Sequence, residues 1–392
     1  MLNRRSETVK MTGKFKIKEN VEIDRLFKIY REIVNYLINY AYENNITSFY
    51  KLKSKTYRNL REKYPNLPSH YIYTACQIAT SIYRSYRKKK RRGEARNKPV
   101  FKKDSIMLDD HLFKLDIEKG VLKLSTPKGR ITLKVYVSNY HMKFKDWRTG
   151  QAWLVKKDNG IFLNVVFSRE VEIGEPKDFI GVDLNENNVT IALPNGFARF
   201  ETREREIRTA YYVKRRKIQK KIRAGKKRKK LLEKYGKRER NRLNDLYHKL
   251  ANKIVELADG YGIALENLKN IRKSIRYSKE INGRLHRWSF RRLQSIIEYK
   301  AKLKGIKVVY VDPSYTSSLC PICRGKLSPN GHRVLKCMRC GFEADRDIIG
   351  SLNIRLKALK MWGVSVPPES PSMKPERGRL AVIINTYNKS YG

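Results

Sequence analysis

The stretch "LCPICRGKLSPNGHRVLKCMRCGFEADRDIIGSLNI", Leu319 to Ile354, holds four of the five cysteines and then turns acidic ahead of an apolar helix. The cysteines form two C-x-x-C pairs, Cys320/Cys323 and Cys337/Cys340, with thirteen residues between the pairs. Four thiolates at this spacing can hold Zn²⁺ tetrahedrally in a closed structural site, and the turn "SPNG" lies between the pairs, as a ribbon requires. The stretch therefore predicts a zinc ribbon, with a dithiol redox pair as the alternative.

Carboxylates occur where apolar segments begin or end. Asp183 and Glu266 each follow a short apolar strand, and Asp345 and Asp347 precede the apolar helix that comes after the ribbon. If the strand ends meet at one sheet edge, their carboxylates form a cage of hard oxygen ligands that suits Mg²⁺. Two such ions can activate a water and stabilise the leaving oxygen of a phosphodiester. The alternative is that these residues are ordinary helix caps and turn acids.

The charge balance of the chain points to a polyanionic partner. Lys and Arg number 88 against 38 Asp and Glu in 392 residues, which leaves a formal net charge of +50. A compact protein repels itself at that charge unless an anion neutralises it, and nucleic acid is the natural candidate. No stretch approaches the ~20 apolar residues of a membrane span, and the first residues lack the apolar core of a signal peptide. We expect a cytoplasmic protein with no membrane partner and no small-molecule substrate.

Apolar spacing divides the chain into successive parts. Positions from Ile23 step by 3 and 4, which indicates helices over roughly residues 15–95. Alternation such as "ITLKVYV" and a hairpin signal at Asp158-Asn159-Gly160 predict a small antiparallel β module, a barrel, over 96–172. Further strands are predicted around Asp183 and Glu266 and at 306–311.

Two basic runs interrupt this pattern. Arg87 to Arg92 are six consecutive cations at the end of a helix, and Val213 to Arg242 hold seventeen Lys or Arg against two Glu. The second run is followed by leucines at helical spacing, so one face packs while the other stays charged. Both runs are predicted to contact phosphates rather than bases.

The order of these motifs resembles a known family. "GVDLN", "LENL" and "TSSLCPIC…CMRCGFEADRDIIGSLNI" are similar to the three RuvC motifs and the zinc ribbon of the TnpB (OrfB) family of insertion sequences, which is related to type V CRISPR effectors. The resemblance implies an α/β multidomain fold, in which an N-terminal β-barrel (wedge) module is interrupted by a helical recognition module and precedes an RNase H-like RuvC domain with an inserted four-cysteine zinc ribbon. The implied parts are a first wedge strand at 1–14, the helical module at 15–95, the wedge module at 96–172, RuvC motifs I and II at 173–315, the ribbon at 316–343, the motif III helix at 344–360 and a weakly ordered tail at 361–392.

The resemblance also implies an activity. The family is one of RNA-guided DNA endonucleases of transposable elements, which bind a guide RNA and cut double-stranded DNA at a single Mg²⁺-dependent RuvC site. For this chain the resemblance implies that the catalytic and magnesium-binding acids are Asp183, Glu266 and Asp347, with Asp345 as the alternative to Asp347. The implied cofactors are structural Zn²⁺, catalytic Mg²⁺ and guide RNA. The chain departs from the family pattern at Ile349-Gly350, where Asn-Ala is usual, and at Arg324, where Gly is usual.

Two other functions fit the same residues. The first is a protein-only RuvC-like nuclease or transposase that acts without a guide. The second is a non-enzymatic zinc-ribbon RNA-binding protein whose acids are structural. RNA that copurifies with the protein separates the first from the guided enzyme, and divalent-dependent cleavage excludes the second.

Overall fold

The computed structural model describes residues 5–269 and 278–363, and the backbone of 382–384. The chain divides into two compact units, Thr8–Glu170 and a second made of Met1–Glu7 with Val171–Gly392. Within the described ranges, no helix has the length and apolarity needed to cross a membrane.

The first unit contains most of a long strand, three amphipathic helices and one short helix. The strand β1 is Arg5–Ile17, of which residues 8–17 belong to this unit. The helices are α1 (Val21–Glu43), α2 (Phe49–Lys63), α3 (Ser69–Arg91) and the short α4 (Asn139–Met142). Helix α1 is capped by Asn20, whose side-chain oxygen accepts a hydrogen bond of 2.9 Å from the backbone N–H of Glu22. Most of the apolar positions predicted from the 3-and-4 spacing are buried in α1, which packs against α3, while Tyr40 is half-buried.

The strands of this unit form a near-closed barrel in the order β2-β6-β7-β1-β5-β4-β3. The hairpin predicted at Asp158-Asn159-Gly160 is confirmed, since Lys157 pairs with Gly160 and Gly160 takes the positive φ of 118° that the turn needs. The N-terminal strand, predicted over 1–14, is described over Arg5–Ile17 and lies between β7 and β5 in the sheet order. Alternate residues along it are buried. The other strands are β2 (Ser105–Leu108), β3 (Phe113–Asp116), β4 (Val121–Thr126), β5 (Gly129–Tyr136), β6 (Arg148–Lys157) and β7 (Gly160–Ile173).

The second unit is built on a mixed six-stranded sheet. Its order is β12-β11-β8-β9-β10-β16, where β8 is parallel to β11 and antiparallel to β9. The strands are β8 (Phe179–Leu184), β9 (Asn188–Leu193), β10 (Gly196–Glu201), β11 (Gly262–Glu266), β12 (Val308–Val311) and β16 (Val382–Ile384). The helices are α5 (Glu204–Lys221), α6 (Lys226–Leu257), α7 (Lys279–Arg287), α8 (Phe290–Leu303) and α9 (Arg346–Met361).

The two faces of this sheet are covered by different helices. Alternate residues of β8, Ile180, Val182 and Leu184, pack with α6 and α8 in one core. Phe179, the first residue of β8, belongs to a separate core on the side of α9. Because successive side chains of a strand point to opposite faces, Asp183 lies on the α9 face together with Phe179.

The basic run 213–242 lies on two helices with a break between them. Helix α5 ends at Lys221 and α6 begins at Lys226, with Gly225 between them at the positive φ of 157°. The helices are tied together by a buried network in which Arg208 donates to Glu204 at 2.6 Å and to the hydroxyl of Tyr247 at 2.9 Å. The buried face therefore carries apolar side chains and paired ions, while most of the cations of the run are exposed.

A short three-stranded sheet precedes α9. Its strands are β13 (Leu327–Pro329), β14 (Val334–Cys337) and β15 (Glu343–Asp345), in the order β13-β14-β15. Most of the predicted tail, 364–381 and 385–392, lies outside the described residues, while β16 within it pairs parallel to β10.

Candidate active site and metal centre

Asp183 and Glu266 lie side by side at the ends of neighbouring parallel strands. Strands β8 and β11 are paired through Val182 and Leu265, so the next residue of each strand is one of the two acids. Ala264 belongs to the core on the α9 side, which places Glu266 on that same face by the two-residue period of a strand. The sheet therefore brings two predicted site residues to one edge and one face.

Helix α9 packs directly on β8 because two glycines permit the approach. A side chain at Gly181 would collide with the backbone carbonyl of Ser351. At Gly350, an added Cβ would lie 3.0 Å from Oδ2 of Asp183. Arg355 holds the helix in place by donating to the carbonyl of Phe179 at 3.0 Å and to Oδ2 of Asp178 at 2.6 Å.

The electrostatic environment of Asp183 is unfavourable to its charge. Burial is the largest cause, and the charges of Glu266 and Asp347 add to it, so the pKa of Asp183 rises from 3.8 to about 7. Asn185 opposes the shift by donating to Oδ2 of Asp183 at 2.9 Å. A buried carboxyl group surrounded by like charges is the arrangement that a bound cation would relieve.

The pKa of Glu266 is also raised. Burial raises its pKa, while a hydrogen bond of 2.7 Å from the hydroxyl of Thr316 and the charge of Lys357 act in the opposite direction. Thr316 lies four residues before Cys320, so the segment that enters the ribbon also fixes the orientation of this carboxylate.

Asp345 and Asp347 have different roles at the start of α9. Asp345 is the N-cap, and its Oδ1 accepts from the backbone N–H of Asp347 at 2.8 Å. Asp347 is buried, with 5% of its surface exposed, and its Oδ2 is ion-paired with Arg333 and lies 3.7 Å from Nη2 of Arg199. The buried residue is the one whose charge raises the pKa of Asp183.

The three acids converge without forming a tight cluster. Among the residues that the structure describes, the groups with at least three ligand atoms within 4.8 Å of one another are the four cysteines and His70-Asp109-His111. Asp183 and Glu266 fit a hard cation, since both are oxygen donors with raised pKa values on rigid strand ends. The charge of Asp347 raises the pKa of Asp183, but the Asp347 carboxylate is ion-paired with Arg333 and close to Arg199.

The four cysteines fit zinc. The Sγ atoms of Cys320 and Cys340 are 3.6 Å apart, and those of Cys323 and Cys337 are 3.4 Å apart. A zinc tetrahedron with bonds of ~2.3 Å has edges of about 3.8 Å, whereas a disulfide joins its sulfurs at ~2.05 Å. The thiol arrangement therefore matches a tetrahedral site, and none of the four cysteines is in a disulfide.

The surroundings of the cysteines shift their pKa values in opposite directions. Burial raises the pKa of Cys320 to about 12. At Cys337 burial acts in the same direction, but the backbone N–H groups of Cys340 and Arg339 outweigh it and lower the pKa to about 6. Metal binding must displace the remaining thiol protons, which makes zinc affinity dependent on pH.

Asn353 joins the ribbon to α9. Its side-chain amide donates to the carbonyls of Thr316 and Leu319, both at 2.8 Å, and its oxygen accepts from Arg324 at 3.2 Å. Arg324 has a φ of 61°, a backbone conformation that glycine adopts more readily than a residue with a side chain. Ile349, the other departure, is fully buried and packs with Cys320, Cys337 and Phe342.

Sequence reasoning did not identify Arg333, Arg199 or Thr316. Arg333 is 14 residues from Asp347 in the ribbon hairpin, and Arg199 comes from β10, so no local spacing links them to the acids. Thr316 begins the motif "TSSLCPIC", but nothing in the sequence indicates that its hydroxyl contacts Glu266, 50 residues away.

Most of the chain is similar in fold to a CRISPR effector. A solved Cas12f1–sgRNA–target DNA complex matches with a TM-score of 0.53 and 15% identity, covering 89% of this chain and 99% of that one. Residues 290–354 match the family described as Cas12f1-like, TNB domain, and residues 26–125 match the uncharacterized protein MJ0013 family. The α/β fold of this chain is thus similar to that of Cas12 effectors, and it carries a four-cysteine cluster.

Sequence relatives narrow this class. TnpB-like protein MJ0751 of Methanocaldococcus jannaschii is 37% identical over 278 residues, which are 66% of this chain and 98% of the relative. TnpB-like protein MJ1635 of the same organism is 27% identical over 89% of both chains. The CRISPR-associated endodeoxyribonuclease Cas12f1 of Sulfoacidibacillus thermotolerans is 39% identical over 28% of this chain and 26% of its own length. The chain belongs to the TnpB family, which is related to type V effectors.

Proposed function

We propose that the protein is an RNA-guided DNA endonuclease of a transposable element, with one RuvC-like site that hydrolyses phosphodiesters in the presence of Mg²⁺. The observation that carries this proposal is the pairing of Asp183 with Glu266 at adjacent parallel strand ends, under the helix that brings Asp347. The name of the Cas12f1 relatives as endodeoxyribonucleases, and a guide RNA and target DNA in the similar structure, support the same activity.

In this proposal Asp183, Glu266 and Asp347 would hold the catalytic Mg²⁺. Bound there, the metal would supply water activation and charge stabilisation at the leaving oxygen. The protein residues provide rigidity: Asn185 orients Asp183, Thr316 orients Glu266, and Asp345 caps the helix on which Asp347 lies. Arg333 and Arg199 hold Asp347 in the same region, and their guanidinium groups are suited to phosphate oxygens.

The basic surfaces supply affinity without reading sequence. In Val213–Arg242 most Lys and Arg side chains are exposed, and Lys88 to Arg92 are exposed at the end of α3. Cations of this kind bind phosphates through counterion release, while base pairing with a guide would read the target sequence. A protein that binds through phosphates and leaves sequence recognition to a guide should be strongly basic, as this one is.

The test is to purify the protein with its natural flanking DNA and sequence the RNA that copurifies. The expected result is one discrete RNA species that directs Mg²⁺-dependent cleavage of a matching duplex, with no cleavage by Asp183→Ala. Cleavage that is independent of any RNA would instead indicate a protein-only nuclease or transposase. Absence of divalent-dependent cleavage from an RNA-loaded preparation would leave a zinc-ribbon RNA-binding protein.

A further inference from the structure

A second group of metal-binding side chains lies in the first unit. His70 is the second residue of α3, and Asp109 and His111 lie in the turn between β2 and β3. One ligand atom from each of the three side chains lies within 4.8 Å of the others. Nδ1 of His70 is 2.6 Å from Oδ2 of Asp109, and the rings of His70 and His111 stack with centroids 3.9 Å apart.

The backbone on both sides of this group is anchored in the core. His70 precedes Tyr71, Asp109 follows Leu108, and His111 precedes Leu112; these three neighbours are at most 1% exposed. Asp109 also accepts from the backbone N–H of His111 at 3.2 Å, which fixes the turn. The backbone positions of the three residues are therefore fixed. Because an imidazole nitrogen binds a metal in the plane of its ring, one of the two stacked rings must turn for His70 and His111 to share an ion.

The side chains themselves remain accessible. The exposed fractions of the His70, Asp109 and His111 side chains are 36%, 22% and 63%, so an ion and its waters can reach them. A further carboxylate, Asp110, lies 3.2 Å from Nδ1 of His111. Arg130 is also close, and its guanidinium donates to the backbone carbonyl of His111 at 3.3 Å.

We propose that His70, Asp109 and His111 form a second divalent-metal site, distinct in chemistry from the cysteine cluster. Two imidazoles and one carboxylate suit borderline transition ions such as Zn²⁺ and Co²⁺ rather than Mg²⁺. The bound ion would link the start of α3 to the β2–β3 turn, and thus fasten a helix to the barrel. This proposal does not depend on nuclease activity.

The experiment compares full-length proteins dialysed against micromolar Zn²⁺ with Mg²⁺ in excess, so that hard carboxylate sites are occupied. Elemental analysis is expected to find two zinc ions per wild-type chain and one per chain of the double variant His70→Gln/His111→Gln. His286→Gln, which removes an exposed histidine of α7, is the matched control and should keep two. One zinc per wild-type chain, or two in the double variant, would overturn the proposal.

A spectroscopic arm identifies the ligands of each ion. With Co²⁺ added to the metal-free protein, thiolate-to-metal charge-transfer absorption should accompany one equivalent, and the other should add ligand-field absorption without it. Asp109→Asn preserves size and the turn hydrogen bond, and should weaken the equivalent without thiolate absorption by about tenfold or more. If Asp109→Asn binds both equivalents as the wild type does, the carboxylate is not a ligand and the proposed site is wrong.

Discussion

Gly350 lies against the carboxylate of Asp183, so closely that a Cβ at residue 350 would stand 3.0 Å from Oδ2. Helix α9 and strand β8 therefore meet at the residue proposed to hold the catalytic metal. Residue 350 is also a position where the chain departs from the usual family motif, and the missing side chain leaves additional space beside Asp183.

Enlarging residue 350 should displace Asp183. Gly350→Val is expected to abolish cleavage while the protein remains folded and RNA-bound, because the added methyl groups occupy the position of the carboxylate. Gly350→Ala should retain reduced activity, since Asp183 can shift by a few tenths of an ångström. Cleavage assays and circular dichroism measure the two effects. Gly236, within α6 with open space around it, is the control: Gly236→Ala should stabilise by about 1 kcal/mol without changing activity.

Substituting the proposed metal-binding acids should abolish cleavage without abolishing nucleic-acid binding. Asp183→Ala, Glu266→Ala and Asp347→Ala are each expected to abolish cleavage, because each removes a proposed metal ligand, while nucleic-acid affinity persists or increases. Asp345→Ala should retain measurable activity and lose about 1 kcal/mol of stability, as expected for an N-cap. An inactive Asp345→Ala beside an active Asp347→Ala would reverse the assignment of these two residues.

The stability of the Mg²⁺-free protein should depend on the ionisation of Asp183. The pKa of this group is about 7 in the folded state and 3.8 ordinarily, so the folded state binds the proton more tightly. The resulting contribution to the free energy of unfolding is complete below pH 3.8 and is lost as pH rises through about 7. Denaturant titrations without Mg²⁺ should show the wild type losing stability relative to Asp183→Asn across this window; parallel pH profiles would contradict the raised pKa.

Removal of zinc from the cysteine cluster should disturb the carboxylates. Cys337→Ser is expected to lose the cysteine-bound zinc and to reduce cleavage, because the ribbon positions Asn353 and Thr316, and Thr316 donates to Glu266. Elemental analysis and activity at saturating Mg²⁺ provide the measurements. Cys76→Ser, at the buried cysteine outside the cluster, should leave the zinc content unchanged. Stoichiometric disulfides in the wild-type protein would contradict a zinc site.

Neutralising exposed cations on α6 should weaken binding to all sequences alike. Replacing Lys226, Lys227, Lys229 and Lys230 with Gln is expected to reduce the slope of log affinity against log salt by about 0.9 for each phosphate contact to duplex DNA that is lost. Arg58→Gln is the control, since Arg58 is already paired with Glu62 at 3.3 Å. A change in sequence preference without a change in salt slope would argue against phosphate contacts.

Local patterns in the sequence were sufficient for several parts of the molecule. The cysteine spacing predicted the thiol cluster, the Asn-Gly turn predicted the β6–β7 hairpin, and the apolar strands that end near Asp183 and Glu266 were found at those places. Each of these features depends on residues close together in the chain, where backbone geometry and side-chain period limit the choices. The TnpB family was also recognised from short motifs, and the comparisons confirm it.

Tertiary structure decided which side chains meet. The parallel register of β8 and β11 places Asp183 beside Glu266, and the packing of α9 buries Asp347 while Asp345 caps the helix. The pairing of Arg333 with Asp347, and of His70 with Asp109 across 39 residues, likewise follows from packing. Sequence period sets the direction of a side chain along its own helix or strand. Its partner across the core depends on how separate elements pack to bury apolar surface, and no single stretch of sequence contains that information.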